Sequence, residues 1–131
     1  MLKGLSICSG IGGLDIAMQS EFIGVTTYAY CEIDPYACAV LLARMESGHL
    51  DAAPIFPDIF KLDAKTLEAA DLTEVDVVYG GISCQPFSQA GKRRADDDPR
   101  NLWPATRRLL GILGRPAFFL ENVAGFTIRN G

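Results

Sequence analysis

The sequence predicts an α/β protein built on a doubly wound parallel sheet of five strands. Short apolar runs alternate with amphipathic segments along the chain, and no internal repeat interrupts them, as in consecutive β-α-β units. The segment Glu74–Gly80 contains a continuous apolar run, which is typical of a strand covered on both faces of a parallel sheet. Helices are therefore expected on both sides of the sheet.

The first half of the chain predicts two strand-helix units. Leu2–Cys8 is a candidate first strand, followed by a glycine-rich turn and a helix over Leu14–Phe22 whose apolar side chains can share one face. Thr26–Ile33 is a second strand, rich in residues that favour β structure. A second helix is expected over Pro35–Met45, because Asp34 can cap its amino end and a proline suits the first helical position.

The second half predicts three more strands and one helix. Ala53–Phe56 is a short third strand, bracketed by prolines as an edge strand is. Glu74–Gly80 is the fourth strand, Leu102–Gly114 is a helix with a proline in its first turn, and Pro116–Asn122 is the fifth strand. Because the chain stops soon after the fifth strand, we expect an exposed sheet edge there, open to pairing with another chain.

Composition limits the classes of protein that fit. The 131 residues are 49% hydrophobic with a net charge of -4, which suits one domain and does not suit a polyanion-binding surface over the whole chain. The basic cluster at 92–94 fits either a solvated loop or a phosphate contact.

No apolar run approaches the roughly 18 residues of a membrane span and no signal peptide is recognisable, so we expect a cytoplasmic protein without a membrane partner. Four cysteines without a CxxC pair and a single histidine favour reduced thiols and no metal site.

Candidate binding residues follow the first three strands. In an open parallel sheet, ligands bind outside the carboxyl ends of the strands, near the point where the strand order reverses. Gly10 and Gly12 permit a tight turn and a close backbone approach to a ligand. Glu32 lies about 20 positions beyond them, as a ribose-binding acid does, so the pattern fits an adenosine-containing cofactor. The alternatives are an ordinary strand-to-helix turn and a helix-capping role for Glu32, and Asp58 can likewise bind an adenine amino group or end a turn.

Candidate catalytic residues follow the fourth and fifth strands. We expect these strands to be neighbours about 4.8 Å apart, so that the Cys84 thiol and the Glu121 carboxyl group can share one pocket. A glutamate that closes an apolar strand is costly unless it is partnered, which also singles out the adjacent Asn122. The residue types fit a catalytic Cys/Glu pair, and the alternative is an inert cysteine with a structural carboxylate.

Five segments together resemble the successive motifs of the cytosine-5 DNA methyltransferase family, in order and at the usual spacing. They are CSGIGGLDIAM, CEIDPYACAVL, PDIF, GGISCQPFSQAGKRRADDDPRNLW and FFLENVAGF. The resemblance covers essentially the whole chain. It implies a Rossmann-like fold, S-adenosyl-L-methionine as cofactor, methyl transfer to carbon 5 of cytosine in DNA, and a place in a restriction-modification system.

The resemblance also assigns roles to individual positions. Cys84 matches the nucleophile and Glu121 the carboxyl group that contacts the cytosine ring. Glu32 matches the acid on the ribose and Ile33 the side chain packed on the adenine. The full set of positions that match cofactor-binding residues is Cys8, Gly10, Ile11, Gly12, Glu32, Ile33, Asp58, Ile59, Gly81, Ser83 and Leu102. An aromatic residue is usual at position 8 and a proline at position 83, so the resemblance implies one stacking contact fewer and a less restrained loop.

The implied chemistry explains why a thiol and a carboxyl group are needed. The Cys84 thiolate adds to carbon 6 of a flipped-out cytosine, which turns carbon 5 into a nucleophile that can accept a methyl group. A protonated Glu121 hydrogen-bonds ring nitrogen 3 and stabilises the charge that develops there. An ordinary thiol has a pKa of ~8.5, so Cys84 requires local activation. Closure over the flipped base suits the segment Gln85–Arg94.

The family's later motifs, its target recognition domain and its C-terminal cofactor segment are absent from the chain. We therefore expect residues 1–131 to be the N-terminal portion of a catalytic domain, inactive alone, with double-stranded DNA bound through the complete enzyme. The exposed sheet edge is expected to pair with a complementing C-terminal fragment or with a second copy. The alternatives are a transfer-RNA cytosine-5 methyltransferase, a non-catalytic cofactor-binding module and, from the glycines alone, a nicotinamide-dependent oxidoreductase.

Overall fold

A computed structural model of the chain describes residues 1–82 and 101–122. The strands are β1 Leu2–Ile7, β2 Val25–Cys31, β3 Ile55–Phe56, β4 Val77–Gly81 and β5 Ala117–Glu121. The helices are α1 Gly13–Met18, α2 Pro35–Glu46, α3 Ala64–Ala69 and α4 Trp103–Ile112, and a short 3-10 helix spans Ile59–Lys61. The described strands pair in parallel in the order β3-β2-β1-β4-β5, which confirms the predicted parallel sheet and the predicted pairing of the fourth strand with the fifth.

Helices cover both faces of the sheet. On one face, α3, α4 and the 3-10 helix pack on a core that includes Val78. On the other face, α1 packs through Met18 on a core that includes Tyr79, and Leu41 of α2 packs on Tyr30. Val78 and Tyr79 are consecutive residues of β4 that enter different cores, so the doubly wound arrangement is confirmed.

The strand order reverses at β1, which has β2 on one side and β4 on the other. Glycines allow a close approach on both sides of this strand. A Cβ atom on Gly80 would stand 1.7 Å from the carbonyl oxygen of Ile7, and one on Gly4 would stand 2.5 Å from Cγ1 of Val25. A larger residue at Gly80 would therefore separate β1 from β4 at the end of the sheet where a ligand is expected.

The first helix is shorter than predicted. A helix was expected over Leu14–Phe22, whereas α1 ends before Gln19, which is its C-cap. The Gln19 amide turns toward the sheet, where its Nε2 donates to the Tyr30 hydroxyl at 2.9 Å and its Oε1 accepts from the Asp51 amide at 2.9 Å. The chain then turns through Gly24, whose φ of 73° is left-handed. Tertiary hydrogen bonds thus end the helix before its apolar pattern does.

The second and fourth helices agree with the sequence. The Asp34 carboxylate caps α2 by accepting from the Tyr36 amide at 3.0 Å, as predicted. Helix α4 begins with a proline in its first turn, and the left-handed Gly114, with a φ of 75°, follows its end. In the two described ranges, no helix is both long and apolar enough to cross a membrane.

The segment between β3 and β4 differs most from the prediction. The third strand shortens to two residues, Ile55–Phe56, at the predicted edge position. The 3-10 helix and α3 were not predicted. Helix α3 is capped by Asp63, whose carboxylate accepts from the Thr66 amide at 2.8 Å, and it buries Leu67. Its six residues are too few for a periodic apolar pattern, so only the capping signal was readable.

Strand β5 forms the other edge of the described sheet, as expected. Its Phe118 and Phe119 are 57% and 56% exposed, although they project toward opposite faces. Glu121 is exposed as well, which corrects the expectation that this carboxylate needs a partner. The physical reason is that an edge strand leaves the carboxylate in contact with water.

Candidate functional site

A cleft opens beyond the carboxyl ends of the strands, where β1 separates β2 from β4. It encloses about 600 Å³, counting space open to solvent. The residues that line it are Cys8, Cys31, Glu32, Ile33, Pro57, Asp58, Ile59, Phe60, Gly81 and Leu102. The fold therefore brings together seven of the predicted cofactor-binding residues, which come from five different segments of the chain.

Glu32 is the buried carboxylate of this cleft. Its side chain is 9% exposed. Oε2 accepts from the Gly10 amide at 2.6 Å, and Oε1 accepts from the Asp34 amide at 2.9 Å. One carboxylate thus ties the glycine-rich turn after β1 to the beginning of α2. Each oxygen keeps a second acceptor site, so the carboxylate can still accept from the hydroxyl groups of a ligand.

The glycine-rich turn lies beside the cleft and is held from several sides. Gly10 and Gly12 have φ values of 56° and 84°, in the region that favours glycine. A Cβ atom on Gly12 would stand 2.7 Å from Cδ1 of Leu50, so the turn packs closely on the core below it. The Ile11 carbonyl accepts from the Arg44 guanidinium at 2.7 Å, while the Ile11 side chain stays 48% exposed. Helix α1, which follows, has only six residues, so its amino end adds little to the turn.

Asp58 and the 3-10 helix form one wall of the cleft. The Asp58 carboxylate accepts from the Phe60 amide at 2.9 Å, so it caps this short helix. Arg108 of α4 donates to the carbonyl oxygens of Ile59 at 3.1 Å, Phe60 at 3.3 Å and Leu62 at 3.1 Å. Asp58 thus has the turn-forming role that was the alternative to adenine binding. The planar guanidinium of Arg108 fixes the backbone of the 3-10 helix that forms this wall.

The ends of β4 and β5 lie side by side. Gly81 and Glu121 are direct partners in the register of these strands. Oε2 of Glu121 lies 3.9 Å from the position that a Cβ atom on Gly81 would occupy. Asn122 follows and is half-buried. Ser83 and Cys84 lie outside the described residues, so their predicted roles stay predictions.

The described ranges contain three cysteines, Cys8, Cys31 and Cys38, and no disulfide joins them to one another. Cys8 and Cys31 line the cleft. Burial raises the pKa of the Cys31 thiol to about 12, and it also raises the pKa of Cys38. Cys31 is therefore protonated at neutral pH, and its thiol is a small apolar group in the wall of the cleft.

Sequence reasoning missed three lining residues, Cys31, Pro57 and Phe60. It also missed Asp15 on α1, which is 1% exposed. Within the described ranges, neither oxygen of the Asp15 carboxylate has a hydrogen-bond partner. Burial raises its pKa, and the nearby Ser6 and Tyr79 hydroxyls offset that effect only in part. The only signal in the sequence was an acidic residue within the apolar stretch LDIAM.

Comparisons with known proteins agree with this geometry. The chain is 33% identical over 121 residues to the type II methyltransferase M.NgoMIV of Neisseria gonorrhoeae, covering 92% of this chain and 35% of that protein. It is 37% identical over 127 residues to the type II methyltransferase M.AquIA of Picosynechococcus, covering 94% of this chain and 49% of that protein. The chain thus spans between a third and a half of the length of these curated relatives.

Solved structures show the same fold. A DNMT2 mutant of Spodoptera frugiperda superimposes with a TM-score of 0.72 at 27% identity, covering 99% of this chain and 39% of that one. The Dnmt2 methyltransferase of S. pombe superimposes with a TM-score of 0.65 at 29% identity, covering 98% of this chain and 38% of that one. The model of one family, the C-5 cytosine-specific DNA methylases, matches residues 2–130. The chain belongs to the C-5 cytosine-specific DNA methylase family.

Proposed function

We propose that this chain is the cofactor-binding and nucleophile-bearing portion of a DNA cytosine-5 methyltransferase of a restriction-modification system. The complete enzyme transfers a methyl group from S-adenosyl-L-methionine to carbon 5 of a flipped-out cytosine, with Cys84 as the covalent nucleophile. DNA is favoured over transfer RNA because the matching family model is that of DNA methylases and the curated relatives are type II methyltransferases.

The single observation that supports this proposal most strongly is the cleft around Glu32. It combines a buried carboxylate with apolar walls at the point where the strand order reverses. A nucleoside with a charged tail fits such a donor set, because the carboxylate can accept from ribose hydroxyls while Ile33 and Ile59 contact the base. When bound, S-adenosyl-L-methionine supplies an activated methyl group.

The catalytic steps belong to Cys84, which follows β4 in the sequence, and to Glu121, the last residue of β5. Cys84 forms a bond to carbon 6 of the cytosine, and the electron pair that this step displaces moves through the ring toward nitrogen 3. The neutral Glu121 carboxyl group donates a hydrogen bond there and stabilises the developing charge. After methyl transfer, a base removes the carbon 5 proton, and the electron pair left behind expels the Cys84 thiolate. The exposed position of Glu121 suits this role only once a base and the rest of the enzyme cover it.

The activity requires more than this chain. Its relatives are two to three times as long, since it covers 35% of one and 49% of another. We propose that double-stranded DNA binds through the complete enzyme, and that a complementing C-terminal segment pairs with β5. The net charge of -4 agrees with DNA contacts that lie mainly outside this chain.

Two measurements test the proposal. Calorimetric titration should show that the chain binds S-adenosyl-L-methionine and not a nicotinamide dinucleotide. Binding of the dinucleotide instead of S-adenosyl-L-methionine would contradict the proposed function. Incubation of the chain alone with radiolabelled S-adenosyl-L-methionine and double-stranded DNA should give no methylated DNA, and robust labelling would overturn the inference that the chain is inactive alone.

The complete enzyme separates the remaining alternatives. It should methylate cytosine in DNA and become trapped on DNA that contains 5-fluorocytosine, because the missing carbon 5 proton blocks elimination of Cys84. Preferential methylation of transfer RNA would move the protein to the RNA-modifying alternative. Cofactor binding without methylation or trapping would identify a non-catalytic cofactor-binding module.

A further inference from the structure

Phe60, the last residue of the PDIF segment, is an aromatic side chain of the cleft to which the family resemblance assigns no role. It lies on the 3-10 helix, lines the cleft and is 54% exposed. Its neighbour Ile59 is only 5% exposed and anchors the same turn in the core. The turn is therefore fixed from below, while the ring of Phe60 stands in the cleft with more than half of its surface in water.

The backbone of Phe60 is held on both sides. Its amide donates to the Asp58 carboxylate at 2.9 Å, and its carbonyl oxygen accepts from the Arg108 guanidinium at 3.3 Å. The same guanidinium binds the carbonyl oxygens of Ile59 and Leu62, each at 3.1 Å. Because the guanidinium is planar and makes three contacts, it fixes the direction from which the ring leaves the backbone.

A second large exposed apolar side chain of the cleft is Ile33, which is 74% exposed and directly follows Glu32. Two large apolar groups at the mouth of one cleft gain free energy if a flat apolar group covers them. The Glu32 carboxylate in the same cleft can take the hydroxyl groups of a sugar joined to that flat group. An aromatic ring is the side chain best suited to a purine, because base and ring can stack face to face.

We propose that Phe60 binds the adenine ring of the cofactor by stacking, and that Arg108 is the residue that positions it. This inference rests on the proposed function, since it identifies a further contact of the same cofactor site. Asp58 has two roles in this proposal. It can bind the adenine amino group, and its carboxylate also accepts from the Phe60 amide and so fixes the turn that carries the ring.

Calorimetric titration of the chain with S-adenosyl-L-methionine, adenosine and methionine tests the stacking contact. Phe60→Ala should weaken binding of the first two ligands about tenfold, the order expected for one base stacked on one aromatic ring. Phe60→Trp should bind them within about threefold of the unchanged chain, because it keeps a stacking surface, and Phe60→Leu should behave like the alanine variant. Phe22→Ala is the matched control, because Phe22 is 98% exposed and does not line the cleft.

The outcomes distinguish failure of the proposed function from failure of the Phe60 stacking contact. If neither the unchanged chain nor the complete enzyme binds S-adenosyl-L-methionine or adenosine, the proposed function and this inference both fail. If it binds them and Phe60→Ala binds them equally well, this inference alone fails. If tryptophan weakens binding as much as alanine while circular dichroism shows an intact fold, the ring does not stack and the inference is wrong.

Arg108 is tested by its coupling to Phe60. Arg108→Ala should weaken binding of adenosine, but it should add little further loss in the Phe60→Ala background, since it acts through that ring. Arg107→Ala is the matched control, because Arg107 is the adjacent arginine of α4 and is not among the residues that line the cleft. Fully additive losses would show that Arg108 does not position Phe60.

Discussion

At the scale of single residues, two buried carboxylates have opposite environments. Glu32 receives two backbone amides, at 2.6 Å and 2.9 Å, and so joins two segments of the candidate site. Asp15 of α1 is also buried, and within the described residues neither of its oxygens has a hydrogen-bond partner. A charge is stabilised by donors and penalised by burial without them, so replacement of each carboxylate by its amide should have a different result.

Asp15→Asn should stabilise the chain by about 1 kcal/mol near pH 8, because it removes a poorly satisfied buried carboxylate. Burial raises the folded-state pKa of Asp15 above its ordinary value. The contribution of the neutral Asp15 side chain to the free energy of unfolding is therefore fully present at pH values below its ordinary pKa. That contribution is lost as the pH rises through the folded-state pKa. Urea unfolding of both proteins should show equal stability in acid and a growing advantage for asparagine toward pH 8. A constant difference at every pH would contradict this assignment.

Glu32→Gln should lower both stability and cofactor affinity. The amide group of glutamine presents a donor to one of the two backbone amides, so the Gly10 or Asp34 amide loses its acceptor, at a cost of about 1 kcal/mol. Loss of the acceptor for ribose hydroxyls should weaken binding of S-adenosyl-L-methionine at least tenfold in calorimetry. Asp63→Asn is the matched control, since asparagine can still accept from the Thr66 amide and Asp63 does not line the cleft. Unchanged affinity in the Glu32 variant would remove this carboxylate from the site.

At the scale of elements, the sequence predicted the parts whose signals are local. The uninterrupted apolar run of β4 and the cap of α2 at Asp34 were readable because propensity, pattern and capping chemistry all agree there. The early end of α1 was not readable, because Gln19 leaves the helix to bond with Tyr30 and Asp51, which are distant in sequence. Phe60 was missed for a similar reason, since Arg108 places it in the cleft from another helix.

Asp63→Ala should destabilise α3 and the turn before it. The Asp63 carboxylate accepts from the Thr66 amide at 2.8 Å, and this hydrogen bond lowers the pKa of the carboxyl group. A lowered folded-state pKa means that the stabilisation is present above the ordinary value and is lost as the pH falls through the folded-state pKa. Hydrogen exchange should therefore be faster in α3 of the variant at neutral pH, while Asp63→Asn should preserve protection. Equal protection in the alanine variant would show that the cap does not stabilise the helix.

At the scale of the whole molecule, the sheet is well covered at its centre and open at β5. Tyr79 and Val78 in β4 are fully buried, whereas Phe118 and Phe119 in the neighbouring strand are each more than half exposed. In the described residues, the phenylalanines of β5 project to both faces of an unpaired edge. Such an edge favours association with another strand, either of a complementing segment or of a second copy.

Phe119→Lys should reduce self-association of the chain. A lysine on an edge strand discourages pairing with another strand, because the charge would be buried between them. Sedimentation velocity at increasing concentration should show less oligomer than for the unchanged chain, and Phe22→Lys, at a residue 98% exposed outside the strands, should have no such effect. An equal shift in both variants would attribute the association to general surface hydrophobicity.

The place of β1 at the centre of the sheet determines the order in which the chain can fold. β1 meets β2 within its first strand-helix unit, but the hydrogen bond from the Lys3 amide to Asp76 joins residues 73 positions apart. Closure of so long a loop costs conformational entropy before strand pairing repays it. A nascent chain therefore holds β1 and β2 together with one flank of β1 open until β4 leaves the ribosome. During that interval the central strand of the described sheet is accessible to chaperones and to misfolding.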